Sequence, residues 1–465
     1  MFFVVKKCRI YAACGVSQTP INKEYIRRAL GIAWPSVLES FFVALTGMID
    51  SFMVSSLGAY AVAAVGLTTQ PKFMGLALFI AVNVAVSALV ARRKGEDKKK
   101  SANETLLIAL LFTVIAGVIV SLACVFLADD IIRLAGSEGD THESAVLYFR
   151  IIMGCILFNI VSLVINAAQR GAGNTKIAMR TNVTSNIINL IGNYLLIGGH
   201  FGFPALGICG AAIATVAGKV VACIMSILSI SGKDGFISLP YMKENGLRPK
   251  LEPVKSIFKI SSSVFLEQIL LRIGFMSVAV MAAKLGTDAF AAHQLGMNIM
   301  SLSFSFGDGM QVAAVSLIGQ SLGQQKIELA KTYGRICQRI GNIISIILSL
   351  LYLLGGEFLY RLYFDEEHIV AMGIQIMRVM VIIVILQVSQ VIYMGCLRGA
   401  GDVIFTTIAS TVSVTFMRPM ASYLFCYILG FGVIGLWLGV MADQICRFLL
   451  TNLRFRSGKW TRVKI

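Results

Sequence analysis

Asp50, Asn189, Asn193 and Thr215 are the residues of this chain best suited to handling a small cation. Asp50 lies in an apolar stretch, where an ionisable group costs several kcal/mol and marks a functional candidate by default. Glu39 precedes it by eleven residues. Eleven helical steps end about 20° past three full turns, so both acids share one face about 16 Å apart. Asn182, Asn186, Asn189 and Asn193 follow at offsets 0, 4, 7 and 11. That spacing confines four amides to a stripe about 60° wide, which cannot face lipid. Counted from the outer ends of their segments, Asp50, Asn193, Thr215 and Asn189 lie about 10, 9, 14 and 15 Å deep. One carboxylate with amide and hydroxyl oxygens suits H+ or Na+. The same stripe could instead serve only as hydrogen-bonding glue between helices.

A second constellation lies deeper. Glu267 and Gln387 fall about 16 and 15 Å from the cytoplasmic ends of their segments. Positions 228 residues earlier are Glu39 and Asn159. Two such acid–amide pairs would give a cavity between halves a negative floor, suited to small organic cations and amphiphilic drugs. Pairing of Glu267 with Arg272 is the structural alternative, although five residues place them about 140° apart on a helix. Arg418 and Asp443, each about 15 Å from the outer face, read as a structural ion pair. Asp443 stands at the repeat position of Thr215, so the second half fills its equivalent of the ion site with a salt bridge. Lys72 and Asp308 receive no role.

The elements that must position these residues come in two copies. Residues 29–228 and 257–456 share a constant offset of 228: Arg170-Gly171-Ala172-Gly173 recurs as Arg398-Gly399-Ala400-Gly401, Leu57-Gly58 as Leu285-Gly286, and Gly95 as Gly323. Hydrophobic residues make up 57% of the 465 and charged ones 14%, with mean hydropathy +0.79, which excludes an ordinary soluble protein. Twelve apolar spans are read at about 29–56, 60–91, 103–128, 143–169, 177–199, 206–231, 256–284, 288–321, 329–356, 369–397, 404–428 and 432–453. Each reaches the roughly 20 residues needed to cross a bilayer as helix, whereas a β-barrel needs alternating segments of about ten. The fold class is therefore an all-α integral membrane protein of twelve transmembrane helices in two pseudo-symmetric six-helix bundles. Six spans per copy give both the same orientation, as in carriers with a site at the repeat interface.

The net charge of +17 does not read as nucleic-acid binding. Basic residues crowd the N-terminal tail (Lys6, Lys7, Arg9), the second loop (Arg92–Lys100), the sixth loop (Lys233, Lys243, Arg248, Lys250, Lys255) and the C-terminal tail. The positive-inside rule then puts both termini in the cytoplasm of a multi-pass cell-membrane protein. The organisation is a tail at 1–28, a bundle at 29–231, a cytoplasmic linker at 232–255, a bundle at 256–453 and a basic tail at 454–465. Ten cysteines show neither disulfide nor zinc spacing, and no removable signal peptide is expected. No phosphate-binding loop G-x-x-x-x-G-K-[ST] occurs, and the four histidines are scattered. The two Arg-Gly-Ala-Gly runs read as tight helix–helix turns with an arginine at the lipid headgroups. The chain is not expected to be an enzyme or to hold a cofactor, and an ion gradient must supply its energy.

At these residues the chain resembles the multidrug and toxic compound extrusion (MATE) family of the MOP superfamily. Met48-Ile-Asp-Ser-Phe-Met-Val-Ser-Ser-Leu-Gly-Ala-Tyr-Ala-Val-Ala-Ala-Val-Gly-Leu67, Gln169-Arg-Gly-Ala-Gly-Asn-Thr175 and Asn189-Leu-Ile-Gly-Asn-Tyr-Leu-Leu-Ile-Gly198 carry the likeness, with Glu267. The resemblance covers about residues 25–455. It implies two six-helix bundles forming a V and monomeric efflux of mainly cationic compounds in exchange for H+ or Na+. By position it makes Asp50 the coupling acid, with Asn189 and Thr215 as companions. Asn193 and Gln387 stand where many members carry acids. A lipid-linked sugar flippase of the same superfamily is the alternative, and its cavity should be basic. A channel or scaffold would not need depth-matched acids in a duplicated frame.

Overall fold

The computed structural model describes residues 23–137, 140–233, 235–247 and 251–463. Lys6, Lys7 and Arg9 of the expected tail and Arg248 and Lys250 of the linker lie outside the described residues. Spans 1 to 3 are Lys23–Ser55, Ala59–Gly95 and Lys99–Phe126. Span 4 is a pair, Asp140–Gly154 and Ile156–Gly171, and spans 5 and 6 are Thr175–Gly198 and Gly207–Ile230. Spans 7 to 9 are Leu251–Lys284, Thr287–Gly323 and Ile327–Arg361. Spans 10 to 12 are Glu367–Gly399, Val403–Ile428 and Gly432–Arg456.

Among the described residues, nine helices are long and apolar enough to cross a membrane by composition alone, and the span 4 pair makes ten. The remaining two are spans 5 and 8. Span 5 carries the asparagine stripe and buries Thr181, Ser185, Asn189 and Asn193 inside the protein, which is how polar groups are tolerated at membrane depth. Span 9 shows the opposite face of the same rule: Ile346, Leu350, Leu351 and Leu354 project outward. Twelve helices in two lobes result.

Span 4 departs from the continuous helix read at 143–169. It bends by 46° at Cys155. The Ser121 hydroxyl of span 3 lies 2.9 Å from the Met153 carbonyl and 3.0 Å from that of Gly154. It thereby partners carbonyls at the break, where the helical ladder is interrupted. The contact recurs at the same offset in the second lobe, where Ser349 donates to the Val381 carbonyl at 2.8 Å, yet span 10 runs unbroken.

Spans 1 and 2 of the first lobe pack on spans 7 and 8 of the second. Gly95 and Gly323 meet where spans 2 and 8 cross. A methyl at Gly95 would sit 2.0 Å from the Gln320 carbonyl oxygen, and one at Gly323 would sit 2.3 Å from that of Arg92. Only glycine permits so close a backbone approach. The repeat thus brings one residue of each copy together at the end of the lobes beside the basic loop at 92–100. Arg28 adds a bond to Gln320 at 3.1 Å across the same junction.

The segment joining the lobes is not a free tether. Asn103 at the start of span 3 donates to the Phe236 carbonyl at 2.9 Å and accepts from the Ser238 amide at 3.0 Å. Ile237 and Met242 are buried in the first lobe's core. The C-terminal tail is anchored too: Trp460 is fully buried and stacks on Phe455 at 5.1 Å.

Candidate functional site

Spans 1 and 5 run in the same direction in a fixed register. Thr175 bonds to Ile32, Asn182 to Glu39 and Asn193 to Asp50, each 143 residues apart. This register turns the asparagine stripe onto the face of span 1 that carries both acids. Asn193 Nδ2 donates to Asp50 Oδ1 at 2.8 Å. With its amide turned so that the nitrogen faces the acid, the orientation that satisfies both ends, Asn189 bridges Asp50 and Thr215: the nitrogen lies 3.0 and 2.9 Å from the two carboxylate oxygens and the oxygen 3.1 Å from the Thr215 hydroxyl. The four residues expected at one depth therefore form one cluster. Lys72 and Lys219, in spans 2 and 6, lie within electrostatic range of the same carboxylate.

The deeper acids are arranged differently from expectation. Arg170 and Asn182 both donate to the same Glu39 oxygen. Arg398 donates to both Glu267 oxygens, at 2.8 and 3.0 Å. The arginines of the two Arg-Gly-Ala-Gly runs thus do not reach lipid headgroups. Buried carboxylates retain them, because a charge removed from water is stable only when paired and hydrogen-bonded. The tight turn itself is present in both copies, with Gly173 at φ +89° and Gly401 at φ +87°. Glu267 accordingly does not pair with Arg272, whose guanidinium lies 4.4 Å from the Phe73 ring centroid, across the lobe boundary.

A cavity of about 550 Å³ opens beside these groups, walled mainly by the second lobe with spans 2 and 4. Glu267 and Gln387 line it, together with Asp308. Glu39 and Asn159 do not: Glu39 is behind Arg170, and Asn159 is half-buried elsewhere on span 4. Asp308 sits between the two Glu–Arg pairs, within electrostatic range of Glu39, Arg170 and Arg398 and hydrogen-bonded to Ser40. The negative floor inferred from Glu39 and Glu267 is therefore matched by two guanidinium groups. Arg272 and Arg447 line the same cavity.

Arg418 and Asp443 meet, both fully buried. Arg418 donates through Nε and Nη2 to Asp443 Oδ2, at 3.1 and 2.6 Å. Arg447, one turn further along span 12, donates to both carboxylate oxygens at 2.9 and 2.7 Å. The second lobe thus has one acid between two arginines. Span 11 presents Arg418 through two π-helical turns, Thr411–Met417 and Leu424–Ile428. Contacts to span 7 record the extra residues: Thr407 reaches Ser263, Thr415 reaches Leu270 and Tyr427 reaches Met281, at separations of 144, 145 and 146.

Reading single acids missed Arg170, Arg398, Lys219 and Arg447. The signal was present: Glu39 and Glu267, Arg170 and Arg398, and Lys219 and Arg447 all share the 228 offset. Among the described residues, no group of three or more His, Cys, Asp or Glu is placed to hold a metal ion.

Two equivalent lobes with polar clusters at membrane depth define a multi-pass membrane transporter. The MatE family model matches residues 35–195 and 264–424, one match per lobe, and the chain belongs to that family. It is 26% identical over 444 residues to a probable multidrug resistance protein NorM of Thermotoga maritima, covering 95% of this chain and 94% of the relative. It is 25% identical over 431 residues to an uncharacterized transporter, YisQ, of Bacillus subtilis, covering 92% and 94%. A solved structure described as the outward-facing conformation of a multidrug resistance MATE family transporter superposes with a TM-score of 0.87 at 22% identity, covering 95% of this chain and all of that one.

Proposed function

We propose that the chain is a secondary active exporter of amphiphilic drugs that opens alternately to either side of the membrane, driven by H+ or Na+ bound at Asp50. The multidrug names among its relatives support the export reading, and the Asp50 cluster supports the coupling. Asp50 is the acid in the spans held by amides instead of guanidinium, so it can exchange its counterion. Differential affinity of that ion for two conformations is what moves the equilibrium. Lys72 and Lys219 compete with a bound metal cation, which favours H+. One charge moving through ~150 mV supplies roughly 3.5 kcal/mol, enough for a ~300-fold substrate gradient. The preference for cations inferred from Glu39 and Glu267 loses its support, since both acids are paired with arginine.

The deciding experiment is reconstitution in vesicles with an imposed pH or Na+ gradient and a fluorescent amphiphile. Gradient-driven accumulation in wild type, lost in Asp50→Asn, is expected; accumulation that persists in the variant would remove Asp50 as coupling site. The basic loops and tails support a topology with both termini on the cytoplasmic side. A cysteine at Ser137 should label from outside intact cells and one at Asn245 should not; the reverse pattern would invert the topology. The flippase reading is favoured by one observation, the four arginines in the cavity lining.

A further inference from the structure

The charged groups in and behind the second-lobe cavity do not balance. Arg170, Arg272, Arg398 and Arg447 line it against Glu267 and Asp308. Behind them, Glu39 pairs with Arg170, and Asp443 is shared by Arg418 and Arg447. That makes five guanidinium groups facing four carboxylates. The excess is not spread evenly. At the floor, three acids (Glu39, Glu267, Asp308) face two arginines. Along the wall formed by spans 7, 11 and 12, Arg272, Arg418 and Arg447 face Asp443 alone.

Arg272 is the informative member. No ion pair or hydrogen bond to a carboxylate is seen for it among the described residues, and its guanidinium stacks on Phe73. A guanidinium held over an aromatic face keeps N–H groups free to donate, as in sites that recognise a carboxylate or phosphate. Arg418 lies 4.5 Å from the ring centroid of Phe275, one helical turn from Arg272. Phe275, Met297, Met300 and Phe304 supply apolar surface to the same cavity. An aromatic and methionine lining takes flat, varied ligands, and the surplus positive charge selects among them.

Resting on the export function proposed above, we propose that this cavity takes an amphiphile bearing a single anionic group, a carboxylate, sulfonate or phosphate, with Arg272 as its ligand. A monoanion restores charge balance in a space where an uncompensated charge is costly. A monocation adds to the surplus.

Three probes that share one fluorophore isolate the charge: dansylglycine (anionic), dansylamide (neutral) and dansylcadaverine (cationic). With purified full-length protein, dansylglycine should bind about tenfold tighter than dansylamide, the worth of one charge-assisted hydrogen bond, and dansylcadaverine should bind most weakly. Arg272→Gln should erase the dansylglycine advantage and leave dansylamide within about twofold, a change smaller than one such bond. Arg272→Lys should recover part of it. Equal affinity for all three probes, or equal weakening of all three in Arg272→Gln, would overturn the assignment. Phe73→Leu, which keeps the guanidinium but removes its platform, guards against a folding defect; it should weaken dansylglycine more than dansylamide, and equal weakening would also count against the proposal. In gradient-loaded vesicles the two readings fail separately. Dansylglycine that binds but is never exported sinks the exporter reading alone. Dansylcadaverine exported by a protein that ignores dansylglycine sinks the anion reading alone.

Discussion

In the first lobe the carboxylate of the amide cluster, Asp50, is held by Asn193 at 2.8 Å, with Asn189 beside it. In the second lobe Asp443 occupies the repeat position of Thr215 and is clamped by Arg418 at 2.6 Å and Arg447 at 2.7 Å. Both lobes share the deeper Glu–Arg pair, Glu39 with Arg170 and Glu267 with Arg398. Duplication has kept the inner pair and divided the outer site. An amide-held acid can lose or gain its cation as the surroundings change. A doubly clamped acid cannot, because freeing it would leave buried charges unpaired. On the coupling proposed above, the first lobe exchanges an ion and the second stays rigid around the cavity.

The comparison predicts opposite outcomes for two conservative changes. Asp50→Asn should abolish gradient-driven transport while shifting the melting temperature little, since an amide can still bond with Asn189 and Asn193. Asp443→Asn should cost about 3–5 kcal/mol of stability, because it strands Arg418 and Arg447 without a counterion. Thermal unfolding of both variants in one detergent, beside vesicle transport, checks the pair. A stable, transport-dead Asp443→Asn would show that the second lobe also exchanges an ion.

The lobe junction offers the next largest effect. A side chain at Gly95 meets the Gln320 carbonyl at 2.0 Å, so Gly95→Val should hold spans 2 and 8 apart at this junction. Cysteine cross-linking between spans 2 and 8 should fall sharply in the variant. Undiminished cross-linking would mean that the close approach of the two glycines is not what holds spans 2 and 8 together.

Much of this was legible in the chain itself. The repeat, the twelve spans and the one-depth cluster of Asp50, Asn189, Asn193 and Thr215 follow from spacing, because helix geometry converts sequence offset directly into face and depth. The partners of Glu39 and Glu267 were not read, since they lie 131 residues away, and the arginines sit at span ends where snorkelling to headgroups is the usual expectation. Arg418 meeting Asp443 was readable from equal depth. The π-helical turns that slide span 11 along span 7 were not, because a π turn leaves no periodicity signature in eight or so residues of mixed apolar sequence.

The inner pair should behave alike in the two lobes. Glu39→Gln and Glu267→Gln each leave one arginine with a neutral partner, so each should destabilise by a similar amount, about 3 kcal/mol at the lower end for a broken buried pair. Matched melting shifts are expected. A shift confined to Glu267→Gln would indicate that Asp308 compensates Arg170 and not Arg398, and would separate the lobes at a second level.

The smallest effect tests whether the break in span 4 matters. Ser121 serves two carbonyls at the break, Met153 and Gly154, whereas its repeat partner Ser349 serves Val381 alone in an unbroken helix. Interhelical side-chain hydrogen bonds in membranes average about 0.6 kcal/mol, with a maximum near 1.7. Ser349→Ala removes one ordinary bond from a carbonyl that the helical ladder already partners, so about 0.5 kcal/mol is expected. Ser121→Ala removes the substitute partner of two carbonyls where the ladder is interrupted. A loss nearer 1.5 kcal/mol is expected there. Measured side by side, a larger shift for Ser121→Ala means that the bend is held by this hydroxyl. Equal shifts would mean that the bend is set by packing around Cys155, and that the two lobes differ at span 4 in shape alone.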